Sequence, residues 1–122
     1  MSRELIIAVV EDDDSFRMAL VRSLTTLGYG ARGFASAERF IAENGENSCD
    51  CIITDVHMTA MSGFDLKREL TSRGSTKPVI MITAQAESAL ETRAMACGAF
   101  CLLRKPLDDD VLIGFIERAL EI

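Results

Sequence analysis

Short, continuous apolar runs alternate along this chain with longer segments whose apolar residues recur every three or four positions. Residues 5–10 are apolar at both parities and stop abruptly at Glu11-Asp12-Asp13-Asp14. Residues 51–54 form a second run, closed by Asp55, and residues 79–83 a third, entered through Pro78 and left through Ala84. Residues 100–103 form a fourth, ending in Arg104-Lys105-Pro106. Runs that are apolar on both parities read as strands buried on both faces, the pattern of a parallel sheet. The more polar stretch 30–34 predicts an edge strand.

Between these runs the period becomes helical. Phe16, Leu20, Leu24 and Leu27 predict a first helix that Gly28 ends. Ser36 is placed to cap a helix over 37–43. Phe64, Leu66 and Leu70 predict a third helix begun near Ser62-Gly63, and residues 87–97 a fourth that stops at Gly98. Val111, Leu112, Phe115, Ile116, Ala119 and Leu120 form the apolar stripe of a fifth, with three aspartates, 108–110, at its positive N-terminal end. Strand and helix alternate five times. The expected fold class is therefore α/β, a doubly wound sandwich around a parallel sheet, and 122 residues suit a single domain over 1–122.

Charge narrows the partners. Thirteen basic against nineteen acidic residues leave a net −6, which argues against a nucleic-acid face on this chain and against adsorption to an anionic membrane. No apolar run is long enough for a bilayer, and the opening run is followed by acids instead of small cleavage-site residues, so neither a membrane span nor a secretory signal is predicted. Cys49 and Cys51 are separated by one residue, while Cys97 and Cys101 lie among apolar neighbours. They read as reduced, mostly buried thiols of a cytoplasmic protein. The spacings lack a C-x2-C pair and His57 is the one histidine, so no thiolate metal site is expected.

In doubly wound sheets ligands bind beyond the carboxyl ends of the strands. The residues there are Glu11, Asp12 and Asp13 after the first run, Asp55 after the second, Thr83 at the end of the third and Lys105 after the fourth. Crowded carboxylates hold protons unless a cation shares the site. Hard oxygens suit Mg2+, which favours phosphate-bearing partners. In this reading Asp55 accepts a phosphoryl group as nucleophile, Glu11 and Asp12 hold the metal, Lys105 pairs with the phosphate and Thr83 hydrogen-bonds it. Asp13 and Asp14 read instead as the capped start of the first helix.

These residues resemble a known family, the receiver domain of two-component response regulators. The carriers are Val9-Val10-Glu11-Asp12-Asp13, Ile53-Thr54-Asp55-Val56-His57-Met58 with Gly63, Val79-Ile80-Met81-Ile82-Thr83-Ala84, and Lys105-Pro106. The resemblance spans nearly the whole chain and implies a flavodoxin-like five-stranded sheet of order 2-1-3-4-5 with five helices. It implies Asp55 as phosphoacceptor and the backbone carbonyl of His57 as a further metal ligand. It also implies Thr83 as a switch hydroxyl and a cis bond between Lys105 and Pro106. Two positions depart from the pattern. Thr59 stands where relatives usually have proline, and Leu102 where they tend to carry an aromatic, the nearest here being Phe100.

The implied function is phosphorelay signalling: a sensor histidine kinase phosphorylates Asp55 with Mg2+, and an output face changes. The chain is then no turnover enzyme, catalysing only its own phosphorylation and dephosphorylation. Homodimerisation on phosphorylation, a stand-alone role through protein contacts, and an attached effector are all compatible outputs. The strand end Ile82-Thr83-Ala84 and the finish Leu120-Glu121 are most similar to receivers that precede a helix-turn-helix effector, hence transcription. Two other classes fit less well. Asp55-Val56-His57-Met58-Thr59 loosely resembles the Asp-x-Asp-x-Thr signature of haloacid-dehalogenase-like phosphatases, but His57 replaces the second Asp and the motif follows the third strand instead of the first. A flavodoxin-like flavin binder needs a Ser/Thr/Gly-rich phosphate loop where this chain has acids, and Tyr29 with no Trp offers little stacking surface.

Overall fold

Strands apolar at both parities must bury both faces, and this chain does so with two helical layers. The computed structural model describes residues 4–122; residues 1–3, at the head of the segment expected to carry no secretory signal, lie outside the described part. The strands are β1 (Ile6–Val10), β2 (Gly30–Phe34), β3 (Cys51–Asp55), β4 (Val79–Thr83) and β5 (Cys101–Arg104). All pair in parallel, in the order β2-β1-β3-β4-β5. The helices are α1 (Asp14–Thr26), α2 (Ala37–Ala42), α3 (Gly63–Ser72), α4 (Ser88–Ala96) and α5 (Asp109–Leu120).

Alternate residues of the central strands feed two separate cores. Ala8, Val10, Ile52 and Met81 pack with Phe40 of α2, Leu66 and Leu70 of α3 and Leu90 of α4. Ile7, Val9, Ile53, Ile80 and Ile82 pack on the other face with Leu20 and Leu24 of α1 and Leu112 and Ile116 of α5. Among the described residues no helix is long and apolar enough to cross a membrane. All four cysteines are unbridged, and burial pushes the Cys49 and Cys101 thiols up to about 11 and Cys51 to about 12. Such thiols carry almost no thiolate at neutral pH and are poor nucleophiles.

Element ends follow local chemistry. Asp13 caps α1 by accepting the Phe16 amide, Ser36 caps α2 through Arg39 and Asp108 caps α5 through Val111. Gly28 and Gly98, each just past a helix, have φ of +100° and +90°, where an L side chain is strained. β5 begins one residue later than its apolar run, at Cys101, although Phe100 already donates its amide to the Val79 carbonyl of β4. A short 3-10 turn, Gly45–Asn47, follows α2.

Gly63 matters most for the site. Ser62 and Asp65 form a reciprocal capping box that starts α3 directly over the end of β3. A Cβ at Gly63 would stand 2.4 Å from the Asp55 carbonyl oxygen, a backbone atom that cannot swing aside. Gly63→Ala is therefore expected to cost about 1–3 kcal/mol, the usual range for overpacking. A urea melt should show a lower midpoint at unchanged slope; a midpoint equal to wild type would show that the loop yields freely.

Candidate functional site

Parallel strands that start together also finish together, so the residues closing β1, β3, β4 and β5 share one rim. Glu11 and Asp12 follow β1, Asp55 and Thr83 are the last residues of β3 and β4, and Lys105 follows β5. Glu11 is 1% exposed, Asp55 6% and Thr83 1%, while Asp12 is exposed. The Lys105 amide donates to the Thr83 carbonyl at 2.8 Å, carrying the β4–β5 ladder one residue further. This aims its ammonium along the rim, and the Lys105–Pro106 bond that follows is cis.

Lys105 Nζ bridges two carboxylates, lying 2.6 Å from Glu11 Oε1 and 2.8 Å from Asp55 Oδ2. The ring of Phe16 lies beneath it, with its centroid 4.2 Å from Nζ. Phe16 is in place because its own amide is bound by the Asp13 cap. Arg17, one residue on, donates to the Glu11 carbonyl at 2.8 Å and pairs with Asp14 at 2.6 Å, tying α1 to the end of β1. The free oxygen of Glu11 accepts the Asp13 amide at 3.2 Å.

The loop after β3 turns its amides inward. His57 donates to Asp55 Oδ1 at 2.9 Å and Thr59 to Asp12 Oδ2 at 3.3 Å. The Thr83 hydroxyl oxygen accepts the Gln85 amide at 3.0 Å. Burial is the main force raising the Glu11 carboxyl to about 7; Lys105 and the Asp13 amide oppose the rise, and the neighbouring Asp55 charge adds to it. Burial also disfavours the Lys105 ammonium, but Asp55 and Glu11 together outweigh it and hold Lys105 above its ordinary value.

Glu11, Asp12 and Asp55 each offer one oxygen within 4.8 Å of the others. Their donor chemistry fits a small hard cation: three carboxylate oxygens, of which Glu11's clings to a proton chiefly because it is buried, with the neighbouring Asp55 charge adding to the effect. A single ammonium offsets only part of that charge. For His57 the contact present is the amide on Asp55. Leu102 packs against the α2–α4 core and lines an open pocket of about 260 Å3 with Gln85, Glu87, Glu91 and Arg104. Phe100 lies before β5 and is 37% exposed, at the opposite end of the strand from the acidic rim. Of the two, Leu102 is the one that shares a pocket with the start of α4.

Three contributors lie outside the motif reading. Phe16 reads by its spacing as a helix core residue, yet its ring supports Lys105; its position three residues after a capping Asp is the available signal. Arg17 has a readable local partner in Asp14, but its bond to the Glu11 carbonyl and the Gln85 amide's bond to the Thr83 hydroxyl involve backbone atoms that leave no side-chain pattern in the sequence.

A doubly wound parallel sheet of order 2-1-3-4-5, with acids and a lysine converging at its carboxyl edge, defines the flavodoxin-like class. The model of the response regulator receiver domain matches residues 7–117, and the chain belongs to that family. It is 32% identical over 120 residues to the response regulator protein TmoT of Ectopseudomonas mendocina, covering 98% of this chain and 54% of that protein. It is 34% identical to the transcriptional regulatory protein FixJ of Azorhizobium caulinodans, covering 98% and 57%. The chain thus spans about half the length of these curated relatives. Among solved structures, FixJ-N superposes with a TM-score of 0.89 at 32% identity, covering 98% of this chain and 96% of that one. A response regulator receiver protein from Burkholderia phymatum superposes with a TM-score of 0.87 at 34% identity, covering 98% and 97%.

Proposed function

We propose that this chain, a single receiver unit over 1–122, accepts a phosphoryl group on Asp55 from a sensor histidine kinase in a Mg2+-dependent reaction. The observation that carries the reading is the bridge of Lys105 between Glu11 and Asp55 beside an exposed Asp12, which puts a nucleophile, an ammonium and two more oxygen ligands at one rim. An Asp55 oxygen attacks phosphorus as the nitrogen–phosphorus bond of the donor breaks, and its electron pair leaves with the donor's nitrogen. Glu11, Asp12, Asp55 and the His57 carbonyl would hold Mg2+, which when bound shields the carboxylates and offsets charge on the phosphoryl oxygens. Lys105 then pairs with the new phosphoryl oxygens, and the Thr83 hydroxyl turns from the Gln85 amide to hydrogen-bond them. Leu102, which lines a pocket with Gln85 and the first turn of α4, would carry that change to the output face formed by α4, β5 and α5.

The chain turns over no free substrate; water attack on the aspartyl phosphate ends the signal. The relatives' names point to transcriptional control through an effector domain, with homodimerisation on phosphorylation as one route and a stand-alone role through protein contacts as the alternative output. The kinase and effector meet this chain in the cytoplasm, and neither nucleic acid nor membrane is bound by the chain itself. The direct test is intact mass after incubation with Mg2+ and a small phosphodonor. One acid-stable, base-labile phosphoryl group is expected; no adduct overturns the reading.

The acids can be told apart by metal titration. Asp12→Ala is expected to weaken Mg2+ binding about 10- to 100-fold, as loss of a ligand or its direct support does. Asp14→Ala, which removes an exposed partner of Arg17, should leave it unchanged. Equal losses in calorimetric titrations of the two variants would mean that Asp12 is not a ligand.

A further inference from the structure

Alternate backbone amides of the loop after β3 each donate to a carboxylate from a different part of the fold. His57 donates to Asp55 at 2.9 Å, Thr59 to Asp12 at 3.3 Å and Met61 to Glu38 of α2 at 2.9 Å. Ala60, between the last two, adopts φ +66°, the left-handed turn that lets the amides at 59 and 61 face their separate partners. Only the middle bond reaches an acid of the rim from another loop. It exists because residue 59 is not proline, which has no N–H to give.

From this contact we infer that Thr59 is a positioning residue for Asp12, and that its backbone amide strengthens cation binding by fixing the Asp12 carboxylate towards Glu11 and Asp55. The inference rests on the proposed role of Asp12 as a Mg2+ ligand. Asp12 is exposed and its side chain has no other hydrogen bond among the described residues. Without the amide it would sample several rotamers, and the entropy of choosing one would fall on metal binding. An ionised carboxylate oxygen that accepts one N–H keeps a further lone-pair site, and Oδ1 keeps both of its own, so the bond orients the group without blocking it. Outer partners of this kind orient metal ligands and raise affinity. The Thr59 side chain takes no part; the N–H is what matters.

The experiment compares Mg2+ affinity, followed by backbone amide shifts in NMR titrations, for wild type, Thr59→Ala and Thr59→Pro. Thr59→Ala keeps the N–H and should bind as wild type does. Thr59→Pro deletes it and should bind about tenfold more weakly, the lower end of outer-partner effects. In the metal-free protein the Thr59 amide resonance should also move upfield in Asp12→Ala, because a carboxylate acceptor is lost. If proline disturbs the loop, as shown by amide shifts far from residue 59, a backbone ester at position 59 removes the N–H and leaves the side chain. Wild-type affinity in the proline or ester variant overturns the inference while leaving the metal reading intact. A wild type that binds no Mg2+ overturns the metal reading and the inference with it.

Discussion

Asp55→Asn should take up no phosphoryl group at any Mg2+ concentration, and its intact mass should stay unchanged where the parent gains one adduct. The substitution keeps shape and removes only the nucleophile. An amide side chain has no anionic oxygen to form an acyl phosphate, while its remaining oxygen can still accept the His57 amide, as Asp55 Oδ1 does. The other acids are poor substitutes. Glu11 is buried, bound to Lys105 and the Asp13 amide, and holds its proton to about 7. Asp12 is exposed and proposed as a metal ligand. Folding should survive: removing the Asp55 charge relieves part of the repulsion that raises Glu11, which offsets the lost pair with Lys105. An adduct of equal size on the variant would place the acceptor elsewhere and break the proposed mechanism.

Much of this architecture is readable before folding, for a physical reason. β1, β3 and β4 are covered on both faces, so nearly every position in them is apolar and the runs stand out; their ends mark the rim without any knowledge of tertiary contacts. The edge strand β2 is weaker because Arg32 and Gly33 face solvent, and β5, half-buried over most of its length, begins one residue off its apolar run. The turn at Gly45–Asn47 has no pattern to read. It is entered through Asn44 at φ +54° and lies against the Phe40 ring of the preceding helix, which a Cβ on Gly45 would meet at 2.3 Å; neither feature shows as a hydrophobic period.

The candidate site divides in the same way. Which residues reach the rim follows from strand ends, so Glu11, Asp12, Asp55, Thr83 and Lys105 can be named from spacing. Their pairing cannot. That Lys105 reaches Glu11 and that the Thr59 amide reaches Asp12 depend on directions taken across 94 and 47 residues of chain. The seat of the Lys105 ammonium over the Phe16 ring is set by the same long-range placement. A departure from the family pattern, the missing proline at 59, is visible as a letter; its consequence becomes visible only as a hydrogen bond.

Lys105→Met tests that bridge through stability instead of phosphorylation. Methionine keeps most of the stem over Phe16 and deletes the charge. In the metal-free parent, Glu11 has a folded-state value of about 7 against an ordinary 4.5, so the folded protein binds more protons than the unfolded chain between those values. Its stability contribution is therefore greatest below pH 4.5 and declines as pH rises to 7, by about 3 kcal/mol at roughly 1.4 kcal/mol per unit. Lys105, raised above 10.5, stays charged throughout and limits that decline. Without it Glu11 rises further, and the two acids face each other uncompensated. Near pH 5 Glu11 is neutral in both proteins, and the variant loses only the pair with Asp55. Near pH 8 Glu11 has ionised in the parent while the variant's still favours its proton, so the loss should be larger there by about 1.4 kcal/mol, for one pH unit above 7. Urea unfolding with a chelator at the two pH values gives the comparison, and saturating Mg2+ should recover part of the loss at pH 8. A loss of the same size at both would mean that Lys105 acts through Asp55 alone and that its ammonium does not hold the Glu11 charge.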